Sequence, residues 1–278
     1  MTGREELGAS ELLTALVARL GLDWSGFRRV QGTVRKRLRR RAAELGLEDL
    51  EAYAAYLETS ADEWERLDAM CRIPISRFYR DQVVFEHLAQ TVLPELAERA
   101  RRAKRQLIRV WSAGCASGEE PYSIAIAWRL AIQAAYPNVQ LDVLGTDLDA
   151  RMLQRARRGC YPRGTLRELP ERWQEAAFDV IGESCCLRQE LRSRVRFECG
   201  DLRSRIAEGP FDIVSCRNLA FTYFDKGSRA RVANALIDVL RPGGVLLIGS
   251  KEELPPGIGR VRERHRGIYE KPEDREPP

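Results

Sequence analysis

The chain has 278 residues, 44% hydrophobic and 31% charged, which is enough apolar matter for a buried core and too much for disorder throughout. No stretch approaches the roughly 20 apolar residues of a membrane span, and the opening MTGREELGAS has an acidic pair and no apolar run, so neither membrane insertion nor a signal peptide is expected. Seven cysteines without a C-x-x-C, beside only His87 and His265, point to reduced thiols in a cytoplasmic protein, not to a disulfide framework or a metal site.

Residues 10 to 85 read as helices. Apolar residues at 12, 13, 16, 17 and 20 recur at helical spacing. A basic helix is expected from Val34 to Leu45, with Gly46 as its stop. Net charge is +5, yet Arg28 to Arg41 alone holds eight basic residues and no acid, and without them the balance turns acidic. Such a stripe suits a phosphate backbone, a solvated helix face or the docking face of an acidic protein. Short helices follow at Leu50–Leu57 and Asp62–Met70. Pro74 interrupts, Arg72 to Asp81 reads as irregular, and a helix runs from Gln82 to about Lys104.

Beyond this the texture changes. Strands are expected at Leu107–Ala113, Leu141–Gly145, Arg194–Glu198, Phe211–Cys216 and Val245–Gly249. Helices are expected at Pro121–Ala135, Asp149–Arg157 and Lys226–Leu240. The alternation implies an α/β fold with a parallel sheet covered on both faces. The reading is a helical domain over 1–85 and an α/β domain over 86–278.

The first of these strands runs into Gly114-Cys-Ala-Ser-Gly118-Glu119-Glu120 and then a helix. Glycine there lets backbone approach a ligand at the carboxyl end of a parallel strand. Asp147 ends the next strand, where a carboxylate can accept from two ribose hydroxyls. Glu119 and Glu120 would repel a pyrophosphate at the helix N-terminus. They suit a positively charged ligand, such as the ammonium and sulfonium of S-adenosylmethionine, which tips the reading from NAD to a methyl donor.

Several segments resemble the CheR family of chemotaxis-receptor glutamate methyltransferases. They are Arg109-Val-Trp-Ser-Ala-Gly-Cys-Ala-Ser-Gly-Glu-Glu-Pro-Tyr-Ser123, Gly145-Thr-Asp-Leu-Asp149, Cys216-Arg-Asn218, Tyr223-Phe-Asp225 and Arg77-Phe-Tyr-Arg-Asp81. The resemblance implies a class I S-adenosylmethionine-dependent methyltransferase domain, Rossmann-like with a mostly parallel sheet, behind an N-terminal all-helical domain. It implies methyl transfer to a carboxylate, with S-adenosylhomocysteine as co-product. By the same resemblance Ser76 and Arg80 meet the methionine end of the cofactor, and Gly114 and Glu120 belong to its loop, Glu120 binding the amino group. Asp147 holds the ribose, Asp201 and Leu202 lie beside the adenine, and Cys216, Arg217 and Asn218 lie next to the sulfonium.

Arg80 and Tyr223 are the candidates for catalytic work, Arg80 by orienting an acceptor carboxylate and Tyr223 by positioning either reactant. A glutamate, with a pKa of about 4.3, is already ionised and needs no general base. The implied partner is an acidic protein such as a receptor's cytoplasmic domain, with a small anionic molecule as the alternative. No nucleic acid and no metal are expected. The chain departs from the family in four places, one of them Pro74, which stands where asparagine is frequent. Arg217 to Asp225 carries one extra residue, so either Thr222 or Tyr223 takes the place beside the methyl group. Where the family reads Gly-His-Ser-Glu, this chain reads Gly249-Ser250-Lys251-Glu252, with the histidine replaced. The family's small antiparallel insert, over Phe178 to Phe197, is short, with Gly182 its one obvious turn residue.

Overall fold

The computed structural model describes residues 3–273. The chain forms two units, Met1–Pro74 with Leu219–Arg229 and Ile75–Asn218 with Ala230–Pro278. The division falls after Pro74 instead of at 85 because Phe78, Tyr79, Val84 and Phe85 are buried in the core of the second unit.

The first unit is helical. Helices α1 (Gly3–Ala18), α2 (Gln31–Glu44), α3 (Leu50–Leu57) and α4 (Ala61–Cys71) each turn one apolar stripe inward. In α2 that stripe is Val34, Leu38 and Ala42, spaced by four. The basic residues between them divide by role. Arg37 Nη1 donates to the carbonyls of Met70 and Arg72 at 2.9 and 2.7 Å. Arg41 grips the buried Glu63 with two bonds of 2.9 and 2.7 Å. Lys36, Arg39 and Arg40 stay exposed. The returning segment completes this unit: Asp23 N donates to Tyr223 O at 2.8 Å, and the Tyr223 ring lies 4.8 Å from that of Phe27. Gly26 is forced by this approach, since a Cβ there would meet the Thr222 carbonyl oxygen at 2.0 Å.

Among the described residues the second unit is built on ten strands. In chain order they are β1 (Leu107–Ala113), β2 (Gln140–Asp147), β3 (Cys160–Pro162), β4 (Phe178–Ile181), β5 (Ser184–Leu187), β6 (Val195–Cys199), β7 (Phe211–Ser215), β8 (Leu240–Leu247), β9 (Arg262–His265) and β10 (Ile268–Glu270). Seven form one sheet in the order β6-β2-β1-β7-β8-β10-β9. It is parallel from β6 to β8, with β10 antiparallel to both β8 and β9. The central strands are near-continuous apolar runs, as burial on both faces demands. From β1 the chain steps outward through β2 to β6, then crosses to β7 on the other side. Ligands of open α/β sheets bind at such a switch point, outside the carboxyl ends of the strands. The core of the unit, with Ile108, Val110, Val143, Ile213 and Trp128 all fully buried, holds those ends in place.

The remaining strands pair antiparallel in the order β3-β5-β4, turning at Gly182 with φ +59°. This sheet occupies the expected insert, to which β3 adds a strand from outside the segment. In its register Cys160 faces Cys186, and the two form a disulfide with Cα atoms 4.0 Å apart. That corrects the expectation of thiols throughout: antiparallel pairing brings together cysteines 26 positions apart. Cys71, Cys115, Cys185, Cys199 and Cys216 are not in disulfides. Among the described residues no helix is long and apolar enough to cross a membrane.

Candidate active site

The loop after β1 is tied to the end of β2. Gly114, at φ +77°, and Cys115 both donate their N–H to the Thr146 carbonyl, at 2.8 and 2.9 Å. Ala116 N donates to Asp147 Oδ2 at 2.8 Å, and Asp149 N to Oδ1 at 2.9 Å. Both Asp147 oxygens are therefore fixed at the carboxyl end of β2. Gly118 opens the helix Glu119–Ala127 at φ +91°, where a Cβ would come within 2.8 Å of Ala156 Cβ. The Tyr161 phenol donates to Ser117 O at 2.7 Å. Burial drives its pKa far upward, so it remains a protonated donor.

The two acids of the loop have different jobs. Glu119 is buried, and both its oxygens accept from Ser117 Oγ, at 2.9 and 3.0 Å, so it braces the loop from inside. Glu120 accepts from Ser112 Oγ at 2.7 Å and from Arg217 Nη1 at 3.2 Å. The Arg217 side chain, 2% exposed, also reaches Asp81 Oδ2 and the Arg80 carbonyl, each at 2.7 Å. Burial of the Asp81 carboxyl works to raise its pKa, but the Arg217 guanidinium outweighs that and holds it below the usual value. Arg80 itself lies between two non-glycine residues in the left-handed region, Tyr79 at φ +58° and Asp81 at φ +65°. Such conformations persist only where surrounding contacts impose them. Here they do: Tyr79 N is held by Ser123 Oγ at 2.9 Å and Asp81 by Arg217.

Arg80 donates from Nη1 to Ile75 O at 2.6 Å and from Nη2 to Asn218 Oδ1 at 3.1 Å. Ser76 is half-buried in the non-helical stretch that leads to it. Cys216 is fully buried, its N–H donating to Leu247 O at 2.9 Å. Just past β6, Gly200 N donates to the Asp147 carbonyl at 3.1 Å, which places Asp201 and the buried Leu202 beside that strand end. Asp201 is closed onto Arg203, with a 2.8 Å ion pair. The structure thus links Arg80, Glu120, Arg217 and Asn218 by direct contacts, and Gly114 and Asp147 through the loop. Tyr223 belongs to the helical unit.

Three participants lacked a sequence role. Asp81 and Ser112 lie inside the motifs quoted above without having been assigned one. Glu252 accepts from both Asn218 N and Gly249 N, each at 2.7 Å. Its carboxylate borders a cavity of about 660 Å³, whose walls include Lys251, Glu253, Arg266 and Tyr269. The two histidines stack on each other 4.5 Å apart, on the helix Gln82–His87 and on β9.

Two buried polar atoms at the end of β7, Ser215 Oγ and Arg217 Nε, have no hydrogen-bond partner among the described residues. Donors at Ser215, Arg217 and Arg80 and acceptors at the Glu120 and Asp147 carboxylates are of the kinds that suit the carboxylate, ammonium and ribose of S-adenosylmethionine. Sheet order, glycine loop and strand-end aspartate define an S-adenosylmethionine-dependent methyltransferase. Residues 75–266 match the S-adenosylmethionine-binding domain of the CheR methyltransferases and residues 10–68 their all-alpha domain, so the chain belongs to the CheR methyltransferase family.

The chain is 31% identical to the chemotaxis protein methyltransferase of Salmonella typhimurium over 293 residues, covering 97% of this chain and 98% of that one. To the chemotaxis protein methyltransferase of Listeria innocua it is 35% identical over 186 residues, 67% of this chain and 68% of that protein. It is 31% identical to a Pseudomonas aeruginosa protein named probable biofilm formation methyltransferase WspC, covering 85% of this chain and 55% of that protein. The expected architecture, an all-helical domain before a mostly parallel methyltransferase sheet, is the one observed.

Proposed function

We propose that the enzyme methylates a carboxylate, a glutamate side chain on an acidic protein such as a receptor's cytoplasmic domain, and forms a methyl ester. The observation that carries this is the match to the chemotaxis protein methyltransferase of Salmonella typhimurium over nearly the whole of both chains. Arg80 agrees with it: its two side-chain hydrogen bonds go to neutral oxygens, Ile75 O and Asn218 Oδ1, so the guanidinium is placed at the end of the site where anionic groups must be held. The other cation of the site, Arg217, is occupied by Asp81 and Glu120.

S-adenosylmethionine, when bound, supplies a methyl group on a sulfonium, an excellent leaving group. What remains for the protein is alignment and exclusion of water from the acceptor. The acceptor is ionised at neutral pH, which agrees with two histidines engaged with each other and two loop acids engaged by Ser117, Ser112 and Arg217. The names of the Salmonella and Listeria relatives support a protein acceptor, and the exposed Lys36, Arg39 and Arg40 supply a surface for an acidic one.

The test offers cofactor with a labelled methyl group to cell extract split into protein and small-molecule fractions. Label on protein, released as methanol by mild alkali, is the expected result. Label confined to an alkali-stable small molecule refutes it.

A further inference from the structure

Glu252 lies on the turn after β8, in none of the segments to which a role was given. The turn is closed twice by this one residue: Glu252 N donates to Gly249 O at 2.9 Å, and Gly249 N donates back to Glu252 Oε2 at 2.7 Å. The same oxygen accepts Asn218 N at 2.7 Å. It therefore joins the ends of β7 and β8 beyond their last ladder bond, Cys216 N to Leu247 O. The fit leaves no slack, since a Cβ on Gly249 would lie 2.7 Å from Glu252 Oε2 and 3.2 Å from Asn218 Oδ1.

Asn218 stands at φ +57°, which asparagine tolerates but does not favour. A charged acceptor on its N–H, stronger than a neutral one, stabilises that conformation. In that conformation the Asn218 carboxamide oxygen meets Arg80 Nη2 at 3.1 Å. The contacts run in one line, from the Glu252 carboxylate to the Asn218 backbone and from the Asn218 side chain to Arg80.

We infer that Glu252 is a positioning residue for the cofactor end of the site, acting through Asn218. It holds the asparagine left-handed so that its carboxamide and Arg80 are set before ligand arrives. This rests on reading Asn218 and Arg80 as contacts of the cofactor's methionine and sulfonium end.

A double-mutant cycle tests the inference by calorimetric binding of S-adenosylhomocysteine and S-adenosylmethionine to the full chain. Glu252→Ala is expected to weaken binding about tenfold, whereas Glu252→Gln, whose amide oxygen can still accept both N–H groups, stays within about threefold of the parent. Asn218→Ala also weakens binding. In the Asn218→Ala background Glu252→Ala adds less than about twofold, because no carboxamide is left to orient. Penalties that multiply across the cycle, or Glu252→Ala binding like the parent, overturn the inference. Asn218→Ala binding like the parent overturns both the inference and the site reading beneath it. If Glu252→Ala does not fold, Glu252→Asp, one methylene too short to reach both N–H groups, replaces it in the cycle with the same deciding outcomes.

Discussion

Replacing Arg217 with methionine tests the electrostatic centre of the sheet unit. The wild-type side chain is 2% exposed and paired with two carboxylates, Asp81 at 27% and Glu120 at 16% side-chain exposure. Methionine keeps most of the apolar volume against Phe85, so the change removes charge and five donors more than packing. Breaking a buried pair by deleting one partner costs about 3 to 5 kcal/mol, and the partial exposure of both acids puts this case near about 3.

Urea unfolding followed by tryptophan fluorescence measures the loss, since Trp111 and Trp128 are fully buried in this unit. The pH dependence supplies a second check. The Asp81 pKa lies below its unfolded value of 3.8, so its contribution is fully present above that pH and is lost as pH falls through the folded value. The gap between wild type and Arg217→Met should be constant from pH 7 to about 5 and should narrow below about 4. A loss under about 1 kcal/mol at pH 7, or a gap that widens on acidification, refutes the claim that Arg217 neutralises these acids.

Three further outcomes are expected. Asp147→Ala should abolish calorimetric binding of S-adenosylmethionine at concentrations that saturate the parent, and unchanged binding would remove the aspartate from the site. Tyr161→Phe, which leaves the Ser117 carbonyl without its buried donor, should lower unfolding free energy by about 1 kcal/mol, and no change in the urea midpoint would show that the loop stands without it. Reversing Lys36, Arg39 and Arg40 to glutamate should slow methylation of an acidic protein acceptor, most strongly at low salt, with cofactor affinity unaltered, as checked by rate against ionic strength. Arg37 and Arg41 are excluded from that set because Met70, Arg72 and Glu63 hold them.

Strand β1 is legible to the residue because an apolar run bounded by Gly114 has one good interpretation. The hairpin β9–β10 is not, since Arg-Glu-Arg-His carries no alternation and owes its place to pairing with β8 through Ile268 and Leu247. The loop glycines and Asp147 could be read because their chemistry is local. The different settings of Glu119 and Glu120 could not be read from the residues themselves, and only the resemblance singled out Glu120, because the contact that sets it apart depends on Arg217 arriving from 97 positions away. The disulfide was hidden for the same reason: a count of cysteines carries no register. The basic helix shows a subtler loss, where eight cations look alike in sequence and only tertiary contacts separate those that hold the helical unit together from those exposed to water.

The helical unit is assembled from two stretches of the chain, and the second, Leu219–Arg229, is supplied from between β7 and β8. Its contribution is backbone as much as side chain, with Asp225 N donating to Gly21 O at 2.9 Å and Asp23 N to Tyr223 O at 2.8 Å. A single genetic crossover near Pro74 therefore cannot transplant this unit intact, because it would leave behind the strap that meets Gly21, Asp23 and Gly26. Exchange of the helical unit between relatives by recombination needs two exchanged blocks, with the second inserted between strands whose ends carry Arg217, Asn218 and Glu252. Any change of the strap's length is thus constrained from both ends at once.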